Sequence, residues 1–318
     1  DLEGALREYR ATLAIKQQLT AREPANTSWQ LDVARTYNSI ALLKRRLGDL
    51  TGALEQLRSE LAIKQELVDR EPAKAPWRRE LASSENHIGD VLEALGQSEA
   101  ALARFQRAAT TMRDLVEADP QNQRWRCDLA VDQQRIGRLL SSQGDLRGAR
   151  EQIAQCATRV EPLAERDAKN LEWQRVVARC RNDLAEVLLK SGSLRAAQRE
   201  IETAERISTS LIAREGRKSV DIAAGNALLK GQLWTRRGNR EKAREAWMRT
   251  VALLSTGAPP QDQRQLVQLA KALDSLGRRG EARTVASNLL LHGYLEAEFL
   301  KFCRSLGLAT PPPAVVSP

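Results

Sequence analysis

The chain has 318 residues, enough for two globular domains by length alone, but only 4% are aromatic and helix-favouring Leu, Ala, Arg, Glu and Gln fill the sequence. Such residues lose little rotamer freedom in a helix, so one extended helical array is the better expectation. The formal net charge of +9 arises from 50 basic and 41 acidic residues mixed along the whole length, which reads as solvated helix faces with a mild preference for acidic partners and ranks nucleic acid second.

Other classes are excluded by what is missing. Cys127, Cys156, Cys180 and Cys303 stand far apart with no CxxC pair, and His87 and His292 are the only histidines, so no zinc site fits and no metal is expected. The cysteines read as buried structural thiols in a reducing cytoplasm. No apolar run approaches the ~18 residues of a membrane span, and the chain opens on Asp1-Leu2-Glu3-Gly4 rather than on a signal peptide. No GxGxxG, Gly-Lys-Ser/Thr loop, HExxH or GxSxG occurs, and the carboxylates are spread over solvent faces, so no catalytic residue, no cofactor and no enzymatic activity are expected.

In chain order, residues 1–22 read as the second helix of a hairpin without its first. Leu6, Tyr9 and Leu13 would then lie exposed unless further sequence covered them, and Asp1 falls in mid-repeat, as expected of a piece of a longer polypeptide. Glu23-Pro24-Ala25-Asn26 stops that helix and offers Asn26 as a cap, a role open also to Asn122 and Asn170. From Trp29 to Leu47 the apolar residues Trp29, Val33, Tyr37, Ile40 and Leu47 keep helical spacing and define helix A. Gly48-Asp49 permits a tight reversal. Leu50 to about Arg70 carries Ala53, Leu54, Leu57, Leu61 and Leu67 and defines helix B, ended by Pro72.

This unit recurs. Trp29, Trp77, Trp125 and Trp173 are each 48 residues apart, as are Gly48, Gly96, Gly144 and Gly192. Pro24, Pro72 and Pro120 keep the same step, and Leu13-Ala14-Ile15-Lys16 returns as Leu61-Ala62-Ile63-Lys64. A single hairpin cannot bury both apolar faces, so neighbours must stack into a continuous core. The fifth unit drifts, with its turn at Gly238-Asn239 and with Trp234 and Trp247 inside its helices. A sixth, shorter unit follows a breaker at Ala258-Pro259-Pro260, with Leu266, Leu269, Ala270, Leu273, Gly277 and Ala282. Tyr294 to Ser305 sets Leu295, Phe299, Phe302 and Leu306 on one stripe, a one-sided capping helix. The expected division is long repeats over 1–258, a final repeat and cap over 259–306, and a disordered Pro-rich tail over 307–318.

Small residues at fixed distances from the turn glycine carry a resemblance to the tetratricopeptide repeat (TPR) superfamily. Seven before the turn stand Ala41, Gly89, Gly137, Ala185, Gly231 and Ala270; five after it stand Ala53, Ala101, Ala149, Ala197, Ala243 and Ala282. The aromatic expected four residues further on appears as Tyr9 and Phe105 but is Leu57, Ile153 and Ile201 elsewhere. The helices are longer than the standard unit. The junction Asp119-Pro120-Gln121-Asn122-Gln123-Arg124-Trp125 also resembles repeat arms of bacterial multidomain proteins, which follow caspase-like, CHAT or TIR effector domains or a nucleotide-binding switch. The resemblance implies an all-α, right-handed α-solenoid of antiparallel hairpins. It also implies a peptide-binding concave face lined by helix A, and a role as sensor, recruitment or autoinhibitory arm.

Ten residues before each turn glycine stand Asn38, Asn86, Gln134 and Asn182. A carboxamide donates and accepts together, so this ladder could pair with the backbone of an extended ligand; equally, the amides could satisfy one another between adjacent A helices. Arg35, Arg45, Arg138 and Arg179 flank the ladder on the same expected face, with Arg46, Lys190 and Arg236, against Asp90, Glu93 and Glu186. The expected partners are a protein or extended peptide of acidic character, or a preceding effector domain of the same chain, with a helical-repeat nucleic-acid binder as the alternative. The spaced tryptophans could stack on bases, but core positions are the stronger expectation.

Overall fold

The computed structural model describes residues 1–256 and 262–310, which leaves Ala258-Pro259-Pro260 and the end of the Pro-rich tail outside it. The described chain is all helical and forms two compact units. Unit 1 holds α1 (Leu2–Arg22), α2 (Thr27–Arg46), α3 (Leu50–Arg70), α4 (Ala75–Ala94) and α5 (Ser98–Ala118), together with residues 291–296. Unit 2 holds α6 (Gln123–Gln143), α7 (Leu146–Arg166), α8 (Leu171–Lys190), α9 (Leu194–Glu215), α10 (Val220–Arg236), α11 (Arg240–Ser255), α12 (Gln263–Ser275), most of α13 (Arg279–Leu291), and α14 (Ala297–Ser305). Within each unit, consecutive helices up to α12 pack against one another as antiparallel hairpins, and the even-numbered helices to α12 are the A helices.

The helix boundaries have local causes. The side chains of Asn26, Asn122 and Asn170 accept from the backbone N–H of Trp29, Trp125 and Trp173 at 3.2–3.3 Å, satisfying a donor that the first helical turn leaves open. α4 has Lys74 at the same place with no side-chain bond and uses Pro76 in its first turn instead. At the reversals, Gly48, Gly96, Gly144, Gly192, Gly238 and Gly277 take φ between 76° and 94°, where a side chain would be strained. Asp49, Asp145 and Asn239 follow three of them and cap the B helices by accepting from Gly52, Gly148 and Lys242.

Packing inside each hairpin explains the small residues. A β-carbon at Gly89, Gly137 or Gly231 would overlap Phe105, Ile153 or Trp247, the residue nine beyond the turn on the partner helix. Trp247 therefore fills the position of the expected aromatic. Among the spaced tryptophans, only Trp77 is fully buried, at 5% exposure, with the Lys74 ammonium 3.6 Å from its ring centroid. Trp29, Trp125 and Trp173 are half-buried, and Trp173 packs against the buried core of unit 2, so the core expectation holds in part. They stand in the first helical turn.

The cysteine expectation is corrected too. Cys156 and Cys180 form a disulfide between α7 and α8, with their Cα atoms 6.3 Å apart, inside the range such a bond spans. Cys127 and Cys303 are free and buried, and burial pushes their thiols up to about 12 and about 11. The capping helix is shorter than expected, starting at Ala297, and buries Phe299, Leu300 and Cys303. Gly307 ends it, with the Leu308 N–H on the Cys303 carbonyl at 3.0 Å, so the first residues of the expected tail close the helix.

Candidate ligand face of the A helices

In unit 1, α2 contributes Arg35, Asn38 and Arg45. The Arg35 side chain is 62% exposed and lies 3.4 Å from Asp32 one turn earlier. Asn38 and Arg45 are half-buried, and the Asn38 amide makes no hydrogen bond among the described residues. Asn86 on α4 is buried. Residues 291–296 fold against the hairpin turns of this unit: the Leu295 N–H donates to the Ala94 carbonyl at 2.7 Å, and His292 lies beside Gly48.

In unit 2 the amides are used internally. The Gln134 amide donates to Asp183 at 2.6 Å, and Asn182 donates to the Ile222 carbonyl at 2.9 Å while accepting from Asn226 at 3.0 Å. Asn226 also donates to the Ile201 carbonyl. Here the ladder ties neighbouring helices together. Asn226 is a further member that the spacing did not reveal, because the fifth unit is shorter and places it twelve residues before its glycine rather than ten.

The charges of this unit are also organised. Arg179 pairs with Asp221 at 3.0 Å. Burial pushes the Asp183 carboxyl up to about 6, against the opposing pull of Arg138 and the Gln134 bond. Burial acts on Glu186 in the same sense, but Lys190 and Lys271 outweigh it and hold that carboxyl below its usual range. Lys190 sits 3.1 Å from Glu186 and also grips Glu298 of α14, so a carboxylate from a separate segment of the chain is already bound on this face. Among the described residues no group of three or more His, Cys, Asp or Glu could hold a metal ion, and no helix is long and apolar enough to cross a membrane.

No family model matches the chain, and no curated protein matches it either. Solved structures do. BtubC (BKLC) from P. vanneervenii is 15% identical, with a TM-score of 0.61 over 82% of this chain and 94% of that one. The apo form of RapI is 10% identical, with a TM-score of 0.62 over 95% and 93%. The Rap conjugation gene regulator of the plasmid pLS20, solved in complex with the Phr* peptide, is 12% identical, with a TM-score of 0.54 over 89% and 76%. At such identities the likeness is one of fold alone, the all-helical fold that these proteins share with the chain.

Proposed function

We propose that the chain is a non-catalytic binding scaffold that takes an acidic extended peptide, or an acidic segment of another protein, across its A helices. The observation that carries this reading is the Lys190–Glu298 contact, in which the A-helix face holds a carboxylate supplied from elsewhere in the chain. In unit 1, Arg35 and Arg45 would carry the same preference, with Asn38 facing a ligand backbone, and in unit 2 Arg138 and Arg179 would carry it. Gln134 and Asn182 would instead hold the helices in register. The peptide complex of the pLS20 Rap regulator supports the reading, since it shows the same fold with a peptide bound. In its wider setting, the array would be the sensor, recruitment or autoinhibitory arm of a larger bacterial multidomain protein, acting on another protein or on an effector domain of the same polypeptide.

The test is fluorescence anisotropy with an acidic dodecapeptide, a lysine-rich counterpart and a DNA oligonucleotide. Arg35→Glu and Arg179→Glu should each weaken acidic-peptide binding by about tenfold at unchanged helicity, equivalent to ~1.4 kcal/mol. DNA bound more tightly than either peptide, with a steep salt dependence, would favour the nucleic-acid alternative.

A further inference from the structure

A cavity of about 290 Å³ lies between α9, α10 and α11 of unit 2. Its origin can be read from the repeats. Eleven residues before the turn, each earlier A helix carries a large polar side chain that reaches a neighbouring B helix. Tyr37 meets Gln17, Glu85 meets Arg104, Gln133 meets Gln155, and Arg181 bonds both Glu161 and Glu200. In α10 this position is Ala227. Fifteen before the turn, Val33, Leu81, Leu129 and Val177 give way to Ala223. On the B helices, the column Lys16, Lys64, Met112 and Val160 ends in Ser208. Three truncations thus converge on one place and leave it empty of protein atoms.

The lining is chemically specific. Asn226, 2% exposed, lines the cavity with both amide protons engaged by Asn182 and Ile201, while its Oδ1 accepts from no described residue. That oxygen is an acceptor open to the cavity, which a hydrogen-bond donor on an occupant can meet. Ala223, Ala227 and Ala246 supply apolar surface, and Trp234 forms a wall with the Lys242 ammonium 4.6 Å from its ring centroid. Arg249 and Lys230 both reach Glu205, at 3.4 and 2.9 Å, so two cations share one carboxylate. Lys242 and Glu245 also line the cavity, so three cations face two carboxylates and the lining keeps an excess of one positive charge.

The geometry points to a binding site for an aromatic carboxylate with a donor on its ring, a phenol or an indole N–H. The ring lies on the alanines and Trp234, its donor meets Asn226 Oδ1, and its carboxylate meets Arg249 and Lys242. The volume suits one such residue. A shallower groove lined by Glu202, Arg206 and Thr209 adjoins the cavity at Glu205 and Arg249. The same chemistry could therefore come from a free aromatic acid or from the last residue of a peptide.

Calorimetry on the whole chain separates these sources with N-acetyl-tyrosine, its amide, N-acetyl-phenylalanine, and a hexapeptide ending in Tyr with a free or amidated carboxyl. N-acetyl-tyrosine should bind with a dissociation constant on the order of a millimolar or tighter, and loss of either the hydroxyl or the free carboxyl should weaken it by about tenfold. Tighter binding of the free-acid hexapeptide would assign the site to a peptide C-terminus; equal or weaker binding would assign it to a small acid. Ala227→Gln restores the side chain present in α6 and Ser208→Val the one in α7; either should abolish binding at unchanged helicity, and Arg249→Ala should weaken it. The proposal is overturned if neither N-acetyl-tyrosine nor the free-acid hexapeptide binds, if the amides bind as well as the acids, or if both filling variants bind like the parent.

Discussion

Asp183 gives the chain a pH dependence that can be assigned to one side chain. Burial raises its carboxyl from an ordinary 3.8 to about 6, so between those values the folded chain holds a proton that the unfolded chain has released. The folded form then binds more protons, and this group's contribution to stability falls as pH rises through the window. The melting temperature of Asp183→Asn, compared with the parent, should therefore show a relative gain that grows from about pH 4 to pH 6 and then levels off; a difference flat across that window would contradict the assignment. The cysteines make a second residue-scale prediction. Unfolded without reductant, the chain should alkylate at Cys127 and Cys303 only, and at all four cysteines after reduction, as read by mass spectrometry. The disulfide was not legible in the sequence because its cysteines stand 24 residues apart on successive helices, a separation that carries no motif. The half-burial of Trp29, Trp125 and Trp173 was missed for a related reason: periodicity places a residue on a face but does not tell how far the neighbouring helix extends over it.

At the scale of the hairpin, much was legible, because each device is local. A cap needs one Asn, a reversal one Gly, and close helix packing one small residue, so spacing alone located them. Two glycine substitutions separate the reversal from the packing. Gly144→Ala places a methyl in open space at φ 94° and should cost about 1 kcal/mol of backbone strain. Gly231→Ala drives a methyl into the Trp247 indole and should cost about 1–3 kcal/mol, with a change in near-ultraviolet circular dichroism that Gly144→Ala lacks. Equal costs and unchanged aromatic spectra would show that the small-residue column is not a packing device. The amide ladder marks where local reasoning stopped. Its column was visible, yet whether Asn182 faced a ligand or Ile222 depended on the next helix, whose register had shifted by the shortened fifth unit.

For the whole molecule, repetition made the fold readable and also hid the features proposed as functional. The regular columns announce stacked hairpins, whereas the cavity between α9, α10 and α11 exists only where three columns break together, and the hold of Lys190 on Glu298 joins residues 108 apart in the chain. The central claim, a ligand face on the A helices, is tested most directly by photo-crosslinking in cells. A photoreactive side chain is placed at Asn38 or Arg179 on the A helices, or at the exposed Glu151 on a B helix, and the products are recovered after nuclease treatment. The account predicts covalent adducts to a protein or peptide from positions 38 and 179 and none from 151. Adducts from all three positions alike, or adducts only to nucleic acid in samples not treated with nuclease, would contradict it.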